Sequence, residues 1–369
     1  MVRAPFFKNI DSSRFPFGFG SDNHSGVHPR VLKTLELANL GFAPSYGTDL
    51  LTEEAIRIFR EHFGAETEVH FCFNGTAANV LALAPLVRSH HSIVCSDSAH
   101  IHVDECAAPE RLLGTKLTVV PVTEKHGAKL SPEKIEPFLI RRGDQHFAQI
   151  KAISITQPTE LGTVYSKTEM NALREFCDRH GLWLHVDGAR FINAAASLDL
   201  SLEDLSRGAD SLSFGGTKNG LMFGEAVLFL SPRAREASKD FPFVRKQWMQ
   251  LPSKTRFISA QFIELLGTDL WKEISQHAIS QARRLREGLE TLRAAHPGKI
   301  EFTQETQANA VFAIFESRLE RALKKSAFFY VWNEHTREVR LMTSWASSRA
   351  DIDVFLDQAQ RHLETSESL

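Results

Sequence analysis

Between His91 and Leu230 the chain carries short apolar runs that do not alternate polar with apolar residues: HSIVCSD (91–97), KLTVVPV (116–122), KAISITQP (151–158), LWLHVDGA (182–189), DSLSFGG (210–216) and EAVLFL (225–230). A strand with one wet face alternates; a strand covered on both faces need not. The segments between the runs show the marks of helix ends. SPEKIEPFL begins with Ser131 as N-cap and Pro132 at the first helical position. SKTEMNALREFCDRHG sets Ser166 and Glu169 at capping-box spacing and closes on His180 and Gly181. Strand–helix–strand succession of this kind requires an α/β fold with a mainly parallel central sheet wrapped by helices. Such sheets hold ligands at the carboxyl ends of their strands, so the polar residues there are the ones to read for chemistry.

The last third reads differently. TDLWKEISQHAISQARRLREGLETLRAAH is a long amphipathic helix, followed by two strand candidates, ANAVFAIF (308–315) and EVRLMTS (338–344), and a final helix from about Asp351 to Leu363. This pattern predicts a smaller α+β C-terminal domain. The division expected is an N-terminal segment 1–25 that reaches the site, a large domain over 26–260 and a small one over 261–369. A formal net charge of -2 supplies no basic field for nucleic acid or an anionic membrane. No stretch reaches the roughly 18 unbroken apolar residues of a membrane span. The opening MVRAPFFKNIDSSRFPFGFG carries charges at Arg3, Lys8 and Asp11 in place of an apolar leader core. A soluble, cytoplasmic protein is expected. The scattered Cys72, Cys95, Cys106 and Cys177 form no CxxC pair and are expected as buried free thiols.

Three features at strand ends and one at a helix start have chemical meaning together. Asp187 follows LWLHV at the edge of an apolar sheet, where a carboxylate must be paired or hydrogen-bonded; a cap on the following turn or a pair with Arg190 would also satisfy it. Lys218, in GGTKNG, has only small, apolar or uncharged neighbours in sequence, so its amine stands in a partly dry pocket that favours Schiff-base formation with a carbonyl. Taken singly it could equally be a lysine reaching solvent. Asn74-Gly75-Thr76 directly precedes the helical run AANVLALAPLV, which reads as a phosphate seat or as a plain turn and cap. His100, after HSIVCSD, could stack on a flat ring. A phosphate seat, a stacking imidazole, an aspartate for a ring nitrogen and a lysine for an aldehyde are the four handles of pyridoxal 5'-phosphate. The glycines around Lys218 would then let a flat cofactor approach the backbone.

The segments FGSDNHSG, SYGTDLLTEEA, FNGTAANVLALA, DSAHIHVDECAAPE, TQPTELGTVYS, HVDGARFINAAA and FGGTKNGLMFGEAVLF resemble those of the low-specificity L-threonine aldolases, pyridoxal-phosphate enzymes of fold type I. The resemblance runs from about Phe19 to Trp345, and HVDGAR together with TKNG is its most specific pair. It implies that Lys218 bonds to the cofactor aldehyde, Asp187 faces the pyridine nitrogen, and His100 stacks on the ring. Gly75 and Thr76 would bind the phosphate, with Asn74 in place of a serine found in other branches and Thr217 as a further hydroxyl. Ser21, Arg190 and Arg340 would take the substrate carboxylate. Tyr46 would line the site across a subunit boundary, and Arg256, with Lys246, would reach a neighbouring subunit's phosphate. Asp104 and Glu105 could touch the substrate hydroxyl.

The implied reaction is retro-aldol cleavage of L-threonine, L-allo-threonine and related β-hydroxy-α-amino acids to glycine and an aldehyde, with His100, or a water held by His100 and Asp104, as base. A dimer at least, with a tetramer as the expected assembly, follows from the same resemblance; no metal is implied. Two departures leave stereochemical preference and aldehyde size open: Gln157-Pro158 stand where other branches carry a histidine, and LPSK replaces a glycine-rich turn before Arg256. Transamination or β-elimination on the same fold would use the same Lys218, Asp187 and Arg340, so those residues do not discriminate between the reactions.

Overall fold

The computed structural model describes residues 17–122 and 127–367; most of the opening stretch on which the expectation of no leader rests lies outside them. Seven strands, β1 (Glu68–Cys72), β2 (His91–Ser96), β3 (Lys116–Val120), β4 (Gln149–Thr156), β5 (Trp183–Gly188), β6 (Ser211–Gly215) and β7 (Glu225–Phe229), form one sheet in the order β1-β7-β6-β5-β4-β2-β3. Neighbours from β3 across to β6 are parallel, and only β7 runs against its partners β6 and β1. The six expected strands are present. The seventh, β1, escapes the sequence reading because Glu68 and His70, the half-buried positions of EVHFC, break its apolar run.

Burial on both faces accounts for the missing alternation. Ala152 of β4 packs with Ala82, Leu83 and Ile93 on one side, while Ile153 and Ile155 pack with Leu173 and Phe176 on the other. Each fully buried leucine, isoleucine or phenylalanine among these contributes roughly 1.5–3 kcal/mol. The helix Lys167–His180 supplies Leu173 and Phe176 and is bounded as its sequence requires: Ser166 Oγ accepts from Glu169 N, Glu169 Oε2 accepts from Ser166 N, and Gly181 ends it at φ 61°. Ser166→Ala is expected to lower stability by about 1 kcal/mol in urea unfolding, because one cap acceptor is lost while Lys129 still holds Glu169; an unchanged unfolding midpoint would show that the cap contributes nothing. The earlier helix is shorter than expected, spanning Pro132–Ile135 before a 3-10 turn, and Ser131 makes no side-chain cap bond.

A second, antiparallel sheet has the order β10-β11-β9-β8, from β8 (Ile300–Phe302), β9 (Ala310–Phe315), β10 (Tyr330–Asn333) and β11 (Glu338–Met342). The two expected strands, β9 and β11, are its central pair. The edges β8 and β10 are short and only partly buried, and gave no sequence signal. Helices Leu270–Ala295 and Arg349–Glu367 pack Leu285, Leu289 and Phe355 against Val311 and Leu341. Phe19 is buried in this same core, hydrogen-bonded through its backbone to Phe328 and Met342, and so leads Ser21 and Asp22 toward the large sheet. The boundary expected at 260–261 falls inside the helix Arg256–Leu266, whose Ile258, Phe262 and Leu265 belong to the large core. Three cysteines are buried free thiols; Cys106, contrary to expectation, is exposed. Among the described residues no helix is long and apolar enough to cross a membrane.

Candidate active site

The carboxyl ends of the parallel strands converge as expected on one cavity of about 280 Å³. β1 leads into Asn74, Gly75 and Thr76, β2 into His100, β5 ends with Asp187, and β6 leads to Lys218; all of these line it. β7 is antiparallel to β6, so its first residue, Glu225, arrives at the same edge.

Lys218 lies in the turn Thr217–Asn219 and makes no ion pair with another described residue. Burial, together with the positive charge of Arg190, holds its amine below the usual lysine range. The protein backbone itself requires the preceding glycines: a Cβ on Gly215 would lie 2.2 Å from Ala189 O, and one on Gly216 would lie 2.3 Å from Gly224 O. A carboxylate distant from the TKN turn in the sequence reading is near it in space. Glu225 Oε2 accepts from Gly216 N at 2.6 Å and Oε1 from Thr217 Oγ1 at 2.7 Å. The Thr217 hydroxyl expected for a phosphate is therefore committed to Glu225, whose carboxyl burial pushes up to about 7.

Asp187 does not pair with Arg190. Its Oδ1 accepts from Ala189 N at 3.0 Å and its Oδ2 from Asn79 Nδ2 at 2.8 Å. Arg190 instead grips Asp22 with a bidentate fork, Nε to Oδ2 at 2.5 Å and Nη2 to Oδ1 at 2.9 Å. Against the upward push of burial, Arg190 holds the Asp22 carboxyl below its ordinary value. Ser21 donates to Asp22 Oδ1 at 3.4 Å and accepts from Asn23 N. Arg340 stacks on Trp332, 4.3 Å from the ring centre, and donates to Gly20 O, while its buried Nε has no partner among the described residues. Burial, then Arg190, lowers it to about 10. Of the three expected carboxylate binders, Arg190 has its fork filled by Asp22, Arg340 keeps one unpartnered but buried donor, and Ser21 is engaged by Asp22 and Asn23; none of the three lines the cavity.

His100 Nδ1 meets Glu105 Oε1 at 2.9 Å, and this hydrogen bond raises the imidazole's proton affinity. Glu105 is therefore placed beneath His100 and fully buried at its side chain, not at a substrate hydroxyl as the sequence suggested. Asp104 is exposed and acts on Arg340 electrostatically. The backbone N of His100 is held by Glu160 Oε1 at 2.8 Å; burial raises Glu160 to about 6. Asn74 Oδ1 caps its own helix at Ala77 N, at 3.0 Å. Tyr46, Lys246 and Arg256 do not line the cavity: Lys246 sits 4.6 Å over the Tyr46 ring, and Arg256 donates to Gly41 O.

The donor set fits pyridoxal phosphate. The helix Gly75–Leu83 opens at the cavity with amides that no intrahelical carbonyl can reach, and a Cβ on Gly75 would meet nothing within 4 Å, so the seat is open. The residues the sequence did not single out are Asp22, Asn79, Glu160 and Glu225. Only Asn79 left a local signal, a polar residue inside the apolar run AANVLALA.

A family model described as Beta-eliminating lyase matches residues 18–315. The low specificity L-threonine aldolase of Pseudomonas aeruginosa is 40% identical over 329 residues, covering 89% of this chain and 92% of that protein. That of Pseudomonas sp. (strain NCIMB 10558) is 40% identical over 338 residues, covering 90% and 94%. Among solved structures, a threonine aldolase of Leishmania major superposes with a TM-score of 0.85 at 30% identity, over 94% of this chain and 100% of that one.

Proposed function

This chain belongs to the Beta-eliminating lyase family, among its low-specificity L-threonine aldolases, and from that premise we propose how its residues divide the work. The reaction is a pyridoxal-phosphate-dependent carbon–carbon cleavage of L-threonine and related β-hydroxy-α-amino acids to glycine and an aldehyde. When bound, pyridoxal phosphate supplies an aldehyde that captures an amine and an electron-poor ring that accepts the electron pair of the breaking bond. Lys218 is the amine that holds it, its lowered proton affinity leaving more of the nucleophilic form. Gly75 and Thr76 seat the phosphate. Asp187, fixed by Asn79 and Ala189, keeps a proton on the ring nitrogen. Arg340 receives the substrate carboxylate, and Arg190, anchored by Asp22, adds positive charge beside it. Fixing that carboxylate sets which Cα bond is aligned to break. His100 takes the β-hydroxyl proton, and Glu105 stabilises the imidazolium that results.

The observation that carries this reading is the convergence of Lys218, Asp187, His100 and the Gly75 helix start on one cavity from four separate strands. A dimer at least belongs to the same proposal. Tyr46, Lys246 and Arg256 lie away from their own cavity, near the exposed apolar residues Leu40, Phe42 and Met249, which suits a face completing a partner's site. Incubation with L-threonine, pyridoxal phosphate and no keto-acid acceptor is expected to release glycine and acetaldehyde in equal amounts. Ammonia and 2-oxobutyrate in their place would make the enzyme an eliminating lyase. Allo-threonine, β-phenylserine and serine in the same assay would rank the aldehydes accepted.

A further inference from the structure

Asn79 is buried, with 3% exposure, in the helix Gly75–Leu83. Its amide nitrogen donates to two carboxylates, Asp187 Oδ2 at 2.8 Å and Glu105 Oε1 at 2.8 Å. Its Oδ1 accepts from Ser213 Oγ at 2.5 Å and meets His185 Nε2 at 3.3 Å. These partners fix the amide's orientation, since the reverse would aim its oxygen at both carboxylates. Glu105 Oε1 also meets His100 Nδ1, so one hydrogen-bonded chain runs His100–Glu105–Asn79–Asp187.

Two buried carboxylates this close repel, and the easiest relief is for one to take a proton. Burial raises Glu105 above its ordinary value, and the charge of Asp187 adds to that push. The other charged or titratable groups around the chain do not bridge the pair. Lys218 acts on His100 from a distance, Arg190 is bound to Asp22, and Glu160 holds the His100 amide. His185 is pushed down to about 4 by burial and stays neutral, its Nδ1 beside Ser211 Oγ. Among the described residues, Asn79 alone hydrogen-bonds both carboxylates.

Building on the reading that Asp187 faces the cofactor ring and His100 the substrate hydroxyl, we propose that Asn79 is the positioning residue that keeps Asp187 and Glu105 charged together. Each carboxylate receives one amide hydrogen, so neither needs a proton of its own. The ring-nitrogen contact and the acid–base pair at His100 then operate over the same pH range. Without the amide, a proton settles on Glu105, His100 loses its charged partner, and the imidazole's proton affinity falls.

The test compares holoenzyme of the parent chain, Asn79→Ala and Asn79→Asp by three readouts: pH titration of the bound-cofactor absorbance, pyridoxal-phosphate affinity by fluorescence, and the pH profile of kcat and KM with L-threonine. In Asn79→Ala the spectral midpoint should rise by about one pH unit, and so should the acidic limb of the kcat profile, because that limb reports the first proton taken by the coupled His100–Glu105 pair, which now goes to Glu105; kcat at neutral pH should fall about tenfold with KM nearly unchanged. A lower melting temperature with unmoved midpoints and kcat would mean that Asn79 only packs, and would overturn the proposal. Asn79→Asp keeps the shape and supplies the answer if the alanine variant does not fold: a third carboxylate should move the same midpoints further, and unmoved midpoints would again overturn the proposal. A parent chain that binds no pyridoxal phosphate would overturn the site reading and this inference with it. A parent that binds and cleaves, beside variants with its own midpoints, would overturn this inference alone.

Discussion

Lys218→Ala is expected to give a folded protein that lacks the visible absorbance of covalently held cofactor and cleaves L-threonine on the order of 10⁴-fold more slowly, or worse. The size follows from the role. Among the described residues nothing else lining the cavity is an amine, and Arg190, bound to Asp22, stays protonated, so no neighbour can substitute as nucleophile. Folding should survive because Lys218 makes no ion pair that its loss would break, and a buried amine is itself costly. The turn that carries it is held from elsewhere, by Glu225 at Gly216 and Thr217 and by Asn219 Nδ2 at Gly215 O, 2.7 Å. Circular dichroism, a spectrum with added pyridoxal phosphate and a glycine-release assay suffice. A variant that kept both colour and rate would remove Lys218 from the mechanism.

What could be read from the sequence, and what could not, divides by the range of the contacts involved. Asp187, His100 and Lys218 are at strand ends, and a strand end is a local feature: an apolar run stops and a polar residue follows. The parallel arrangement then brings those ends to one edge. The side chains that tune them come from far along the chain. Asn79 meets Asp187 across 108 residues, and Asp22 meets Arg190 across 168. No spacing rule reaches that far, so Arg190 read as an open carboxylate binder when its fork is already filled. Glu225 is a different case. It lies only nine residues from Gly216, yet its place at the cavity depends on β7 running against β6. An expectation of a parallel sheet would put the start of that strand at the far edge. Tyr46 and Arg256 illustrate the remaining limit: neither lines the cavity of its own chain, and only the proposed dimer would give them a place at a site.

Glu225 also sets the second large expectation, a pH-dependent stability that Glu225→Gln should abolish. Its carboxyl is pushed from an ordinary 4.5 to about 7 by burial, against the opposing pull of Thr217, Gly216 and Lys218. A carboxyl whose folded value exceeds its unfolded one favours folding in its neutral form, so the stability it lends is complete below pH 4.5 and is lost as pH rises through 7. The interval corresponds to about 3 kcal/mol. Glutamine fits the same place: its oxygen can accept from Gly216 N, and its amide can donate to Thr217 Oγ1 while that hydroxyl turns away. Urea unfolding of cofactor-free protein at several pH values between 4.5 and 8 should therefore show the parent losing about 3 kcal/mol relative to Glu225→Gln across the series. Curves that run parallel would mean that Glu225 ionises in the fold without cost. Cys72, its partner across β1, cannot supply the same signal, because burial pushes that thiol upward, away from the window. The variant should also lower the proton affinity of Lys218 further, since an ionised Glu225 favours the ammonium. The pH at which the lysine amine becomes available would then fall in Glu225→Gln, and the pH dependence of cofactor capture measures that directly.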